Sequence, residues 1–255
     1  MTTKEYRTAD AVNFSTLKHI LTSPAHYRAA LEEKREETRA MLLGTLTHAV
    51  ALEGRKLGDI TAIKPEGLNL ATKEGKEWKA TVGSLPIISE QEEADINLMA
   101  LSVQSNIHAA AMLGACQQRE TPLFAIMRGV GCKALLDAHG TDGVDWVIAD
   151  LKTTDDASPE AFARKVANLN YDMQAAFYCQ VLAASQQIET EPTFFWIAVE
   201  KTAPYTAVVY RSDEWMESGN RKVETALERL KECRASGKWP QPWQGLQTLP
   251  KPKWA

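Results

Sequence analysis

Two aspartates, Asp137 and Asp150, and a lysine, Lys152, have residue types and spacing that suit phosphodiester hydrolysis. Hard carboxylate oxygens hold Mg2+, a cation that bridges phosphate oxygens and stabilises the charge developing around phosphorus. A nearby ammonium can orient the attacking water, or help deprotonate it, while offsetting the same charge. In an extended Asp150-Leu151-Lys152 segment, period-two alternation puts Asp150 and Lys152 on one face and Leu151 on the other. The apolar run 146–149 carries Asp150 to the end of a buried strand, where an unpaired charge is costly without a cation. The pattern is short, and two strand-ending aspartates beside a solvated lysine would read the same way.

Other side chains could serve this centre. Gln174 and Tyr178, four residues apart, share a helical face and could jointly meet a phosphate or a catalytic group, although such a pair also serves as packing. His48 falls on an apolar helix, where a satisfied core histidine is the commoner outcome. Arg28, Lys18, Lys73 and Lys76 are candidates for DNA-backbone contacts or for gripping a 5′ phosphate, with solvated surface as the alternative for each. Trp239, Trp243 and Trp254 could stack on bases or anchor a proline-rich tail. No partner is evident for His19, His26, His108 or His139.

The elements that must position these groups follow from periodicity and punctuation. A helix is expected over 15–20, capped by Asn13 or Ser15, and a second begins at Pro24. Residues 28–39 are charge-rich, and 41–52 form an apolar helix ending near Gly54. Residues 64–80, with four lysines, read as a basic loop leading into a helix. Ser89 and Glu92 make a capping box for one long helix reaching toward Leu113. Short strands are expected over 123–127, 131–138 and 146–151, the last two joined by a hairpin turn over 139–143. Asp150 follows Asp137 by thirteen positions, a spacing such a hairpin can close, so both carboxylates can face one site. A helix starting at Ser158-Pro159-Glu160, another over 172–186, a strand pair at 193–200 and 205–211, and an amphipathic helix over 214–236 complete the pattern. It describes an α+β fold, a mixed central sheet flanked by helices.

Bulk properties set the outer limits. The chain has 255 residues, 44% of them hydrophobic, which suffices for one domain. Its parts are a helical N-terminal portion (about 1–115), a core (about 116–236) and an extended tail (237–255) packed on the surface. With no long apolar run and no signal-peptide layout, the expectation is a soluble cytoplasmic protein. Four scattered cysteines give neither zinc-finger spacing nor the grouped thiolates of an iron–sulfur cluster. A net charge of −4 excludes a passive nucleic-acid coat, so any DNA contact must be local.

The segment Gly131-Cys132-Lys133-Ala134-Leu135-Leu136-Asp137, followed by Val147-Ile148-Ala149-Asp150-Leu151-Lys152-Thr153-Thr154, resembles the RecE-type and lambda-type phage recombination exonucleases of the PD-(D/E)XK superfamily. Asn13-Phe14-Ser15-Thr16-Leu17-Lys18, Ser23-Pro24-Ala25-His26-Tyr27, Gly44-Thr45-Leu46-Thr47-His48 and Tyr171-Asp172-Met173-Gln174-Ala175-Ala176-Phe177-Tyr178 match in the same order. The resemblance covers about residues 13–239.

It implies a restriction-endonuclease-like core with His48, Asp137, Asp150 and Lys152 at the active site and Gln174 with Tyr178 as the Q-x-x-x-Y element. It also implies one or two Mg2+ ions, replaceable by Mn2+, held by Asp137, Asp150, His48 and the carbonyl of Leu151. The implied activity is a processive 5′-to-3′ exodeoxyribonuclease that digests one strand of linear double-stranded DNA and leaves 3′ overhangs for a single-strand-annealing protein. A ring-shaped homo-oligomer, a trimer or tetramer, in the cytoplasm of a bacterial host and encoded by a phage or prophage, completes the expectation. A ring would let topology replace part of the electrostatic attraction to DNA. The rivals are a nicking or end-trimming nuclease with the same centre and a non-catalytic DNA-binding module.

Overall fold

In the computed structural model, which describes residues 3–33, 36–141, 143–243 and 245–251, helices dominate the first half of the chain. They are α1 (Thr3–Thr8), α2 (Phe14–Leu17) with a 3-10 turn (Lys18–Leu21), α3 (Pro24–Glu32), α4 (Arg39–Ala51) and α5 (Leu57–Ile60). Strand β1 (Ala62–Lys64), α6 (Lys73–Val82), β2 (Ile87–Ser89), α7 (Glu90–Ser105) and α8 (Ile107–Ala115) follow. Then come β3 (Gln118–Met127), β4 (Val130–Thr141), β5 (Trp146–Thr154), α9 (Pro159–Leu169), α10 (Tyr171–Gln186), β6 (Thr193–Glu200), β7 (Ala207–Arg211) and α11 (Asp213–Ser236).

The central sheet has the order β3-β4-β5-β6-β7. Only β5 and β6 are parallel, because α9 and α10 carry the chain across the sheet between them. The sheet is therefore mixed and flanked by helices, as the sequence pattern predicts. One core lies between the sheet and the layer of α2, α10 and α11, built on Leu136, Ile148, Phe177, Trp196 and Leu227. The other lies beneath α4, α7 and α8, built on Leu46, Met99, Ala149, Leu151 and Ile197. Both faces of β5 are thus covered, which explains its unbroken apolar run.

Local chemistry accounts for the differences from expectation. The single helix expected from Ser89 toward Leu113 breaks at Asn106. Its side chain accepts from the backbone N–H groups of His108 and Ala109, capping α8, and donates to the Ala207 carbonyl at 2.8 Å. The expected turn over 139–143 lies later, because His139, Gly140 and Thr141 remain in β4. Gly140 permits this: a Cβ there would fall 2.5 Å from the Ala115 carbonyl, so only glycine lets α8 close against β4. Strands β3 and β4 are joined by the tight turn Arg128-Gly129, both residues at positive φ, a geometry that suits a two-residue hairpin. The basic stretch 64–80 is helical from Lys73 onward, with Thr72 as its N-cap.

The start of the tail is anchored. Trp239 stacks on Tyr27 at 5.9 Å with Arg28 over its ring at 5.8 Å, so this indole fastens the tail. Beyond Pro240, the side chains of Trp243, Leu246 and Leu249 are exposed. Trp254 lies outside the described residues. The four cysteines are buried and unpaired. No helix among the described residues is long and apolar enough to cross a membrane.

Candidate active site

The β4–β5 ladder ends at Ala138 opposite Ala149, one step before Asp137 and Asp150 would face each other. There the strands part, and the Asp137 carboxylate takes over the missing backbone bond by accepting from the Leu151 N–H at 2.9 Å. That contact draws Asp137 toward α4 and leaves Asp150 and Lys152 facing α10. The expected gathering of the two aspartates and the lysine is present, but divided over two faces of the sheet's end.

On the α4 face, His48 Nδ1 lies 3.3 Å from Asp137 Oδ2, and its Nε2 lies 2.8 Å from the Leu151 carbonyl oxygen. Thr38 caps this helix, and Arg39 joins it to α7 through Glu92, fixing the frame that carries His48. Glu120, which the sequence reading passes over, is the third member: one ligand atom each from His48, Glu120 and Asp137 lie within 4.8 Å of one another. The β3–β4 register runs through Arg119 opposite Ala138 and Thr121 opposite Leu136, so Glu120 falls across from Asp137 at a position where pairing lapses. Its φ of 45° is left-handed, a conformation that costs a non-glycine residue about 1–3 kcal/mol and tends to collect at functional sites. Burial, then the neighbouring Asp137, pushes the Glu120 carboxyl up to about 7.

On the α10 face, the Asp150 carboxylate meets the Lys152 ammonium directly and accepts from Gln174 Nε2 at 3.2 Å. Only 2% of the Asp150 side chain is exposed. Burial raises its carboxyl above the usual range even though Lys152 pulls it down. Burial also works against the Lys152 ammonium, but Asp150 and Asp137 outweigh it, and the Tyr171 ring lies 4.9 Å beneath the charge. Lys152 therefore stands as a charged donor, suited to orienting water and balancing phosphate rather than taking a proton. Gln174 also bonds to the Tyr178 hydroxyl, which burial keeps protonated. Helix α10 is itself locked on α11, where Lys222 and Ser218 bind Asp172 at 2.8 Å each.

Both faces border a cleft of about 630 Å³ that His48, Glu120, Asp137, Leu151, Lys152 and Tyr171 help to line. The four cations singled out for DNA contact do not line it. Lys18 lies over the Phe14 ring, Arg28 over Trp239, and Lys73 pairs with Glu77 on exposed α6, which also carries Lys76. Arg55 and Lys201 line it instead. His26, left without a partner by the sequence, bonds Ser23 Oγ at 2.7 Å as part of a helix cap, whereas the buried ring of His139 stacks on Trp146.

The donors fit a hard divalent cation. Two ligands at right angles around an ion, each about 2.1 Å away, lie about 3 Å apart. The 3.3 Å separation of His48 Nδ1 from Asp137 Oδ2 is of that size, whereas the Leu151 carbonyl lies against the opposite ring nitrogen, Nε2. Carboxylates, a carbonyl and one imidazole suit Mg2+ or Mn2+. Asp150 stands outside this tight set, its oxygens already engaged by Lys152 and Gln174.

One protein family matches residues 13–247, the PDDEXK-like domain of unknown function (DUF3799). No curated protein sequence matches the chain. Among solved structures, the "Putative exonuclease" of Eubacterium rectale is similar to it at TM-score 0.66 and 15% identity, over 99% of this chain and 95% of that one. That likeness shows a shared fold. A second structure, SSO0001, covers 89% of this chain and 86% of its own at 13% identity and TM-score 0.30, too low to argue from.

Proposed function

Because the chain belongs to the PDDEXK-like family (DUF3799), we propose that it is a divalent-metal-dependent deoxyribonuclease of the RecE type. It would digest the 5′-ended strand of linear duplex DNA and leave a 3′ overhang for a single-strand-annealing protein. The observation that carries the reading is the parting of β4 and β5, which gathers His48, Glu120, Asp137 and the Leu151 carbonyl beside the Asp150–Lys152 pair.

His48, Glu120, Asp137 and the Leu151 carbonyl would hold the cation, with Asp150 at its edge. Bound there, Mg2+ supplies Lewis-acid stabilisation of a phosphate oxygen and lowers the pKa of water. The chain's own groups do the rest. Lys152 orients the attacking water and balances charge on phosphorus, Gln174 and Tyr178 fix the orientation of Asp150, and Tyr171 supports the ammonium. A ring of three or four copies would keep this acidic chain on its substrate by enclosure.

Digestion of matched linear and covalently closed duplexes in Mg2+ tests the reading. Degradation of the linear form with the circle intact is expected. Cutting of the circle at a comparable rate would instead indicate an internal nicking activity.

A further inference from the structure

The cleft carries two cations that the proposed chemistry leaves unused, Arg55 and Lys201. Arg55 follows α4 after a turn at Gly54, and its guanidinium has no ion-pair partner among the described residues. Lys201 directly follows β6, and its backbone N–H donates to the Thr154 carbonyl at 2.9 Å. The carboxyl ends of the parallel strands β5 and β6 thus bring Lys201 beside the segment after Lys152, the end of a parallel pair at which ligands bind in open sheets. Asp155 holds the Lys201 ammonium and also lies 3.4 Å from Lys165, which donates to Thr154 Oγ1 at 2.7 Å. Lys165 and Lys201 thus share the exposed Asp155 carboxylate, and Lys165 also acts on neighbouring Asp156.

The positions follow α4. Gly44 faces Thr153, since a Cβ on it would lie 3.6 Å from Thr153 Oγ1, so Lys201 belongs to the Gly44 end of the helix. Arg55 lies beyond the other end, with His48 between them. Gly44 and His48 are separated by about 6 Å of helix rise, and a strand advances about 3.4 Å per nucleotide. A DNA strand laid along α4 with one phosphate at His48 therefore brings a neighbouring phosphate, one or two nucleotides away, toward Lys201.

We propose that Lys201 and Arg55 grip the backbone phosphates flanking the scissile one, with Asp155 as a stand-in anion that holds Lys201 in place until DNA displaces it. The proposal rests on the nuclease reading of the same cleft. The contacts are local, as an acidic chain binding a polyanion requires.

Steady-state cleavage of a linear duplex in Mg2+, measured over a series of KCl concentrations, tests it. Each phosphate contact contributes about 0.9 to the slope of log affinity against log salt. Lys201→Ala and Arg55→Ala should each raise KM severalfold at moderate salt, flatten the slope by about one unit, and place the loss in KM rather than kcat. Asp155→Asn should lower KM. Lys231→Ala, which removes an ammonium from the Glu228 pair on α11, should change neither parameter. Wild-type slopes and KM in both cation variants would overturn the proposal, and so would a loss confined to kcat. A wild-type protein that cleaves no duplex would overturn the nuclease reading itself, an outcome distinct from an active enzyme indifferent to these two cations.

Discussion

The two faces of the site solve the problem of buried charge in opposite ways. On the α10 face, Asp150 is almost wholly enclosed, and its charge is balanced within the protein by Lys152 on one oxygen and Gln174 on the other. On the α4 face, Glu120 and Asp137 crowd around one imidazole, and the Glu120 carboxyl is pushed up toward protonation by burial and by its neighbour. One face carries its compensating charge within the protein; the other is where the proposed cation would sit. Substitutions on the α10 face should therefore change stability and chemistry together, while those on the α4 face should change metal affinity.

The largest effect should separate those two consequences. Lys152→Ala leaves a buried carboxylate unpaired and should cost about 3–5 kcal/mol in chemical denaturation, along with the loss of cleavage. The double variant Asp150→Asn with Lys152→Gln removes both charges, so it should recover most of that stability while cleavage stays on the order of 10²–10³-fold below wild type. Recovery of cleavage with stability would show that the pair serves only the fold.

Next in size is the α4 face. Glu120→Gln should weaken Mg2+ binding by about 10–100-fold, measured by calorimetry, while making the metal-free protein more stable at neutral pH, where the ionised Glu120 is unfavourable. In the wild type, Mg2+ at a hundred times its Kd should add about 2.7 kcal/mol of stability, and Asp137→Asn should abolish that gain. A smaller effect is expected from Gln174→Ala, which strips one donor from Asp150 at about 1–3 kcal/mol.

A pH drift should accompany these effects. A carboxyl whose pKa is raised in the fold binds its proton more tightly there than in the unfolded chain. Metal-free stability should therefore fall as pH rises from the ordinary glutamate value of 4.5 to about 7. Thermal melts in EDTA should show the drift in wild type and its reduction in Glu120→Gln.

Much of this arrangement was legible in the sequence. Apolar continuity marks β5, alternation puts Asp150 with Lys152, and the four-residue spacing of Gln174 and Tyr178 puts both against Asp150. Glu120 was missed because Thr121 and Pro122 hid the start of β3, so the strand was expected only from Leu123. The signal was present: reading Arg128-Gly129 as a two-residue turn folds Glu120 directly onto Asp137. The cleft cations were not legible, because Lys201 reaches the cleft through the parallel pairing of β6 with β5, and Arg55 through the turn after α4. Neither appears as a cluster along the chain. The lysines that do cluster, near Lys73 and Lys76, lie on an exposed helix away from the cleft. Asn106 escaped for another reason: nothing local distinguishes a helix-breaking cap from a tolerated polar residue until β7 supplies the carbonyl it binds.

Anomalous diffraction from Mn2+-soaked crystals tests the central claim most directly. A peak about 2.1 Å from an Asp137 oxygen and the Leu151 carbonyl, with Glu120 or His48 completing the shell and Lys152 still on Asp150, is the predicted result. A cation bound elsewhere, or none at saturating Mn2+ while Asp137 keeps only its bond to the Leu151 N–H, would contradict it.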